Sequence, residues 1–324
     1  MKTLKFCSSL APQMEGFVSL RRLAGTDYQS QIRLLVYFEH FLMKENFKAH
    51  FLSREIIESY LASLSHLAPP TQYNRFSVVS QLCRYLSQFE PHCYVPEAMC
   101  TAKSSSSRIP YIYTKEEVQN LLSKASKLPP HSSLRPHTYR TLFGLLYTTG
   151  IRIGEALALD INDVYLNTQR LHIREGKFHK ERWVPLSPSS CVMLRDYIDK
   201  RQGITLETKD APFFISLRYK RLHRSTVHST LRTLLKQCGI YTGTGPAPRI
   251  HDFRHTFAVH RLLKWYREGL DVNALLPALA TYMGHVDISS THIYLQATPE
   301  LFEEANKRFL KHYRQNIKNK GGHS

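Results

Sequence analysis

Apolar residues along the first hundred positions recur at the 3.6-residue spacing of helices that each bury one face. Thr26-Asp27 is placed to cap a helix running towards Asn46, with Ile32, Leu35, Phe38 and Leu42 on its buried side. Ser53 is placed to cap a second, in which Ile56, Ile57, Tyr60, Leu61 and Leu64 form the stripe. Ala68-Pro69-Pro70 should stop that element, because proline removes an amide donor, and Thr71 should begin a third through Val78, Val79, Leu82 and Leu86. Residues 101–110, with Ser104 to Ser107 flanked by Lys103 and Arg108, read as a strap between domains, since such a segment cannot bury an apolar face.

Beyond the strap, Thr114-Lys115-Glu116-Glu117 has the form of a capping box opening a helix through Val118, Leu121 and Leu122. The helix over about Thr138 to Tyr147 is apolar on most sides and should be central, ended by Gly150. Periodicity then shortens. Leu171 to Arg174 and Arg182 to Leu186 flank a polar turn and predict a hairpin, joined by a short run near Val164 into a small antiparallel sheet. Helical spacing returns over Pro188 to Arg201, Thr226 to Cys238, His251 to Tyr266, Val272 to Met283, and a tail from Pro299 in which Leu301, Phe302, Ala305, Phe309 and Leu310 share a face. The fold class is mainly α with one small antiparallel sheet, in two domains.

Charge narrows the partner. Lys and Arg total 44 against 26 Asp and Glu, a net of +18, and an excess of that size suits a polyanion whose counterions basic side chains displace. No basic amphipathic anchor and no run of 18 apolar residues suggests a membrane. Cys7, Cys83, Cys93, Cys100, Cys191 and Cys238 are scattered without a C-x-x-C pair, which argues against structural zinc and a disulfide scaffold and fits a reducing cytoplasm.

The chemistry concentrates around His251-Asp252-Phe253-Arg254-His255. His251 and Arg254, three apart, fall on one helical face within reach of one target. His251 and His255, four apart, also have zinc-helix spacing, but the acidic base of that motif is missing and Arg254 between them would repel a cation. Arg152 follows the helix stop at Gly150, with Glu155 three residues on; that pair alone is equally read as a solvated arginine with a helical ion-pair partner. Lys177 lies on the hairpin turn, where lysines are usually just solvated, and His285 follows Gly284. Two arginines, a lysine, two histidines and a tyrosine form a set suited to a phosphodiester.

In this order these residues resemble the tyrosine recombinases of the phage integrase family, and the resemblance spans nearly the full chain. Thr149 to Leu159 is similar to the family's first arginine motif, Ile250 to Ala258 to its His-x-x-Arg-His box, and Met283-Gly284-His285-Val286-Asp287 to its Leu-Gly-His motif, with Tyr294 nine residues after His285. The hairpin Gly176-Lys177-Phe178-His179-Lys180 departs from the family's Gly-Lys-Gly turn in having Phe178 at the second glycine. The segment from Lys264 to Leu279 lengthens the gap between Arg254 and His285 by about two helical turns, similar to the transposon-borne branch.

The resemblance implies a helical core-binding domain over residues 1–100, a linker over 101–110, a mixed α/β catalytic domain over 111–298 and a tail helix over 299–324, the two domains clamping duplex DNA. It implies a site-specific recombinase with no cofactor or metal, acting as a homo-tetramer on two double-stranded DNA sites through a Holliday junction. Tyr294 is then the nucleophile, Arg152 and Arg254 the phosphate clamp, His251 and His285 its hydrogen-bonding partners, Lys177 (or Lys180) the general acid, and Glu155 the residue that orients the site. Asp163 and His255 are expected to be structural. Arg75, Arg84, Lys103, Lys180, Arg221, Arg224 and Arg232 are candidate DNA-backbone contacts. A type IB topoisomerase would use similar chemistry on one duplex, and a relative with a decayed site would bind DNA without cutting it.

Overall fold

A computed structural model describes residues 6–97, 110–174, 181–202 and 211–284, together with Glu303, Glu304, Asn306, Lys307 and Leu310. Lys103, Lys177, Lys180, His285 and Tyr294 lie outside the described residues. So do residues 175–180 between the predicted strands, residues 101–109 of the strap, and Leu301, Phe302, Ala305 and Phe309 of the tail. The chain divides into two units, Met1–Arg108 and Ile109–Ser324.

The first unit contains α1 (Ala11–Leu23), α2 (Gln29–Lys44), α3 (Arg54–Ser63) and α4 (Pro69–Leu86). Its core is the predicted stripe: Leu35, Phe38, Leu42, Ile57, Tyr60, Leu82 and Leu86 are buried, joined by Leu10, Met14 and Phe17 from α1. Ser53 caps α3 by accepting the Ile56 amide. Three details differ from the sequence reading. α1 begins beside Pro12, because proline in a first helical turn removes an amide that has no helical partner anyway. For the same reason the Pro69-Pro70 pair opens α4, where Thr71 was the expected start. Thr26 and Asp27 do not cap α2: the Thr26 hydroxyl donates back to the Arg21 carbonyl. Tyr28 takes a left-handed conformation (φ 53°) and packs its ring edge-on against Phe17 at 5.7 Å.

The second unit is built around α6 (Arg135–Thr149), nearly every side of which is covered. It packs against α5 (Lys115–Ala125), α8 (Pro188–Gln202) and α10 (Asp252–Arg267). Thr114 and Glu117 form the predicted capping box of α5. After α7 (Ile153–Ala158) and a tight turn over Ile161–Asp163 come β1 (Val164–Tyr165), β2 (Arg170–Ile173) and β3 (Arg182–Pro185), antiparallel in that order. Leu171 faces Val184 and Ile173 faces Arg182 across the ladder, and the alternation puts Leu171, Ile173 and Val184 in the core. His172, Trp183, Tyr165 and Arg170 take the outer face, with His172 stacked on Trp183 at 4.5 Å and Arg170 over the indole at 4.2 Å. α9 (Arg224–Gln237) and α11 (Val272–Met283) complete the unit. Among the described residues, no helix is long and apolar enough to cross a membrane.

Candidate active site

Four backbone ends converge on one place: the end of α6, the first turns of α7 and α10, and the end of α11. Gly150 closes α6 at φ 63°, a left-handed position that glycine holds without strain. A Cβ there would lie 2.4 Å from Phe257 of α10, so the helix end can approach α10 this closely only without a side chain. The start of α10 is fixed by stacking, with Tyr113 on Phe253 at 4.8 Å and Phe253 on Phe143 at 5.7 Å. Thr256 adds a second tie, accepting the Tyr113 amide at 3.0 Å and donating to the Asp252 carbonyl at 2.8 Å.

Three guanidinium groups, from the starts of α7 and α10 and from β3, meet the last carbonyls of α11. Arg182 Nε donates to the Tyr282 carbonyl (3.1 Å), Arg254 Nη2 to that of Met283 (2.6 Å), and Arg152 Nη2 to that of Gly284 (2.9 Å). The last four carbonyls of a helix have no intrahelical donor and carry the negative end of its dipole, so three cations in succession are favourably placed there. Arg254 also donates to the Gly150 carbonyl at 2.8 Å, joining the ends of α6 and α11 through one buried side chain. Gly284, with φ 67°, leads directly into His285.

Glu155 sits beneath Arg152 with its carboxylate 3% exposed. One oxygen accepts Arg152 Nη1 at 2.9 Å and Arg182 Nη1 at 3.0 Å; the other accepts the Arg152 amide at 2.9 Å and Arg182 Nη2 at 2.7 Å. Burial pushes this carboxyl up, but Arg182 and then Arg152 outweigh it and hold it below the ordinary carboxylate range. The ion pair expected of Arg152 and Glu155 is therefore present, with a buried carboxylate shared by two arginines.

His251 stands just before α10 at the exposed edge of this cluster. Partial desolvation, then the positive charge of Arg254, Arg152, Arg249 and Arg224, pulls its pKa down to about 4. It is neutral at physiological pH and able to accept a proton or a hydrogen bond. His255 stacks edge-on against His251 at 4.8 Å. Among the described residues no group of His, Cys, Asp and Glu is arranged to hold a metal.

The structure thus brings Arg152, Glu155, His251 and Arg254 together. It also brings in Arg182 and Arg249, which the sequence reading did not single out, and Arg224, which it had assigned to the DNA backbone. The one local signal for Arg182 is its place on the inner face of β3 with Val184; its partners lie 27 and 100 residues away. Arg249 is legible only as a base two residues before His251.

Arg221, 41% exposed, donates to the carbonyls of Leu157 (2.7 Å) and Leu159 (3.1 Å) and pairs with Asp160, so it also has an internal role. Asp163 has the structural role expected of it, accepting the Asp160 amide and Arg174 at 2.8 Å each. Arg84 and Arg232 are exposed, while the Arg75 guanidinium lies 4.2 Å over the Tyr37 ring.

The model of the phage integrase family matches residues 112–300. A Sinorhizobium fredii protein named "Putative integrase/recombinase y4rB" is 34% identical over 311 residues, covering 94% of this chain and 98% of that one. The tyrosine recombinase XerA of Pyrococcus furiosus is 27% identical over 296 residues, covering 91% and 93%. The solved Tn1549 transposon integrase in complex with transposon right end DNA shares the fold over 91% of this chain and 98% of that one, with a TM-score of 0.66 at 14% identity. The XerH site-specific recombinase bound to palindromic difH substrate shares it over 84% and 77%, at a TM-score of 0.63 and 20% identity. With an arginine-rich site assembled from both halves of the matched region, the chain belongs to the phage integrase family of tyrosine recombinases, enzymes of site-specific DNA recombination.

Proposed function

We propose that the protein breaks and rejoins double-stranded DNA with Tyr294 as nucleophile and the Arg152, His251 and Arg254 cluster as the seat of the scissile phosphate. The tyrosine oxygen forms a bond to phosphorus as the bond from phosphorus to the 5′ oxygen breaks. Lys177 gives its proton to that departing oxygen, which leaves as a hydroxyl beside a 3′-phosphotyrosyl linkage. The 5′ hydroxyl of a partner strand then attacks the linkage and releases the phenol. One phosphodiester is exchanged for another, so the cycle needs neither ATP nor metal.

A phenol has a pKa of about 10 and needs help to attack near neutrality. The cationic cluster supplies it by favouring the phenolate and by stabilising charge on the equatorial phosphate oxygens. A planar guanidinium binds two such oxygens at once. His251 is the neutral partner able to accept the tyrosine proton or to bond the phosphate, and His285 adds a second imidazole. The observation that carries this reading is the convergence of Arg152, His251 and Arg254, 102 residues apart in sequence at most, on the end of the helix that leads into His285 and Tyr294.

Residues 1–100 act as the core-binding domain and 111–298 as the catalytic domain, with Arg84, Arg224 and Arg232 among the DNA contacts. Four protomers act on two DNA sites in the cytoplasm and pass through a Holliday junction. The length between Arg254 and His285 supports a reading of the chain as one of the transposon-borne members of the family. The test is incubation of the protein with its own site, recovered by sequencing bound DNA and built as a nicked substrate, in EDTA without nucleotide. An SDS-resistant protein–DNA adduct is expected. Tight binding without an adduct would reduce the protein to a DNA-binding relative, and relaxation of supercoils by a monomer would make it a topoisomerase.

A further inference from the structure

We propose that Arg182 is a positioning residue of the active site: it holds Glu155, and through it the Arg152 guanidinium, while tying the strand that leaves the Lys177 hairpin to the helix end that leads into His285. This rests on the reading above, in which Arg152, Lys177 and His285 serve one phosphodiester.

Two independent observations carry the proposal. The first is the bonding of Arg182 itself. Its side chain is 14% exposed and grips both oxygens of a carboxylate that is 3% exposed, at 3.0 and 2.7 Å, while Nε reaches the Tyr282 carbonyl at 3.1 Å. A fork of this kind fixes direction as well as distance, which a lysine ammonium on the same strand cannot do. The second is the shape of the α11 end. A Cβ on Gly284 would stand 2.9 Å from Arg182 Nη1 and 3.0 Å from its Cζ, so the backbone one residue before His285 is bare where the guanidinium lies against it.

The hairpin base is held on its other side as well. Arg174, at the end of β2, pairs with Asp160 and Asp163. Arg174 and Arg182, on either side of Lys177 in the chain, therefore both pair with carboxylates that follow Arg152 in sequence. Arg182 differs from Arg174 in touching the catalytic side of that segment, since it shares its carboxylate oxygens with Arg152. Without Arg182, Glu155 would turn its whole charge on Arg152 and draw it from a phosphate. The carboxyl would also lose the group that lowers its pKa most while keeping its burial, so its pKa would rise.

The groups facing Glu155 are Arg152 and Arg182. The adjoining cleft, about 410 Å³, is lined by Asp160, Asp163, His172, Arg174 and Arg221.

The experiment measures DNA affinity and the rate of adduct formation on a nicked substrate, across pH 5 to 8, for wild type, Arg182→Met, Arg182→Lys, Glu155→Gln and the double variant Arg182→Met/Glu155→Gln. Arg182→Met should bind DNA within about threefold of wild type, yet form adduct about 10- to 100-fold more slowly, the cost expected of a misplaced catalytic group. The rate lost on acidification should set in at higher pH than in wild type, because a raised Glu155 is protonated sooner. Arg182→Lys keeps the charge without the fork, so it should restore the acid side of the profile and only part of the rate. It also serves if the methionine variant fails to fold. The double variant should be no slower than its slower parent, as expected of residues acting as one unit.

An adduct-forming wild type beside an Arg182→Met of unchanged rate and profile overturns the proposal alone. So does a double variant whose losses simply add. A wild type that forms no adduct overturns the reading of the site and the proposal together.

Discussion

Replacing Arg254 with methionine separates what this arginine does for the fold from what it does for the reaction. The side chain is 2% exposed and donates to two backbone carbonyls, Gly150 at 2.8 Å and Met283 at 2.6 Å. Methionine keeps much of the volume but offers neither carbonyl a donor. Each buried acceptor left without its charged donor costs about 1.5–3 kcal/mol, so the second unit should lose about 3–6 kcal/mol.

Arg152→Met is the matched comparison. That side chain is 24% exposed and Glu155 keeps Arg182, so the expected loss is about 1 kcal/mol. For a unit of this size each kcal/mol moves the midpoint by about 2–4 °C. Thermal unfolding of the full chain, followed by calorimetry, should therefore show the second-unit transition about 6–24 °C lower in Arg254→Met and within a few degrees of wild type in Arg152→Met. Adduct formation at a temperature where both are folded should be severely reduced in both. Equal and small shifts in the two variants would refute the account of Arg254 as the tie between α6 and α11.

The pH behaviour of His251 follows from its surroundings. Its folded-state pKa of about 4 lies below the unfolded value, so its protonation favours the unfolded chain. Its contribution to stability is complete above about pH 6.5 and is lost as pH falls from there through about 4. Titration of the His251 ring by NMR should show a pKa near 4 in the free protein and a higher one when Tyr294→Phe holds DNA, since a phosphate offsets the arginines; a free pKa near 6.5 would contradict the crowding. Gly284→Ala forces a side chain into the left-handed region and into the Arg182 guanidinium, so it should cost about 1–3 kcal/mol in denaturant titration and slow adduct formation. Lys177→Ala should regain cleavage on DNA whose 5′-bridging oxygen is sulfur, a leaving group that needs no proton; no rescue would shift the general acid to Lys180.

Much of the fold could be read from the sequence, because apolar periodicity and capping chemistry are local. The Ser53 and Thr114 caps and the Gly150 stop each depend on residues within one turn, and the structure has them where expected. The errors came where one residue type has opposite meanings by position. Pro69 would disrupt a helix interior but suits a first turn, so α4 begins there and not at Thr71, and Pro12 opens α1 by the same rule.

The site divides the same way. Arg152, Glu155, His251 and Arg254 lie in recognisable local patterns. Arg182 does not: alternation puts it on the inner face of its strand with Val184, but only the folded chain brings it to Glu155 and Tyr282. Arg221 makes the converse point: a basic residue in a basic protein suggests DNA, and only the folded chain brings Asp160 beside it.

The central claim is that Tyr294 carries the DNA. The most direct measurement isolates the SDS-resistant adduct from a nicked substrate, digests protein and DNA, and maps the modified residue by mass spectrometry, with Tyr294→Phe alongside. The account predicts a 3′-phosphonucleotide on Tyr294 in wild type, and DNA binding without any adduct in the variant. A modification on another residue, or an adduct of wild-type yield from Tyr294→Phe, would contradict it.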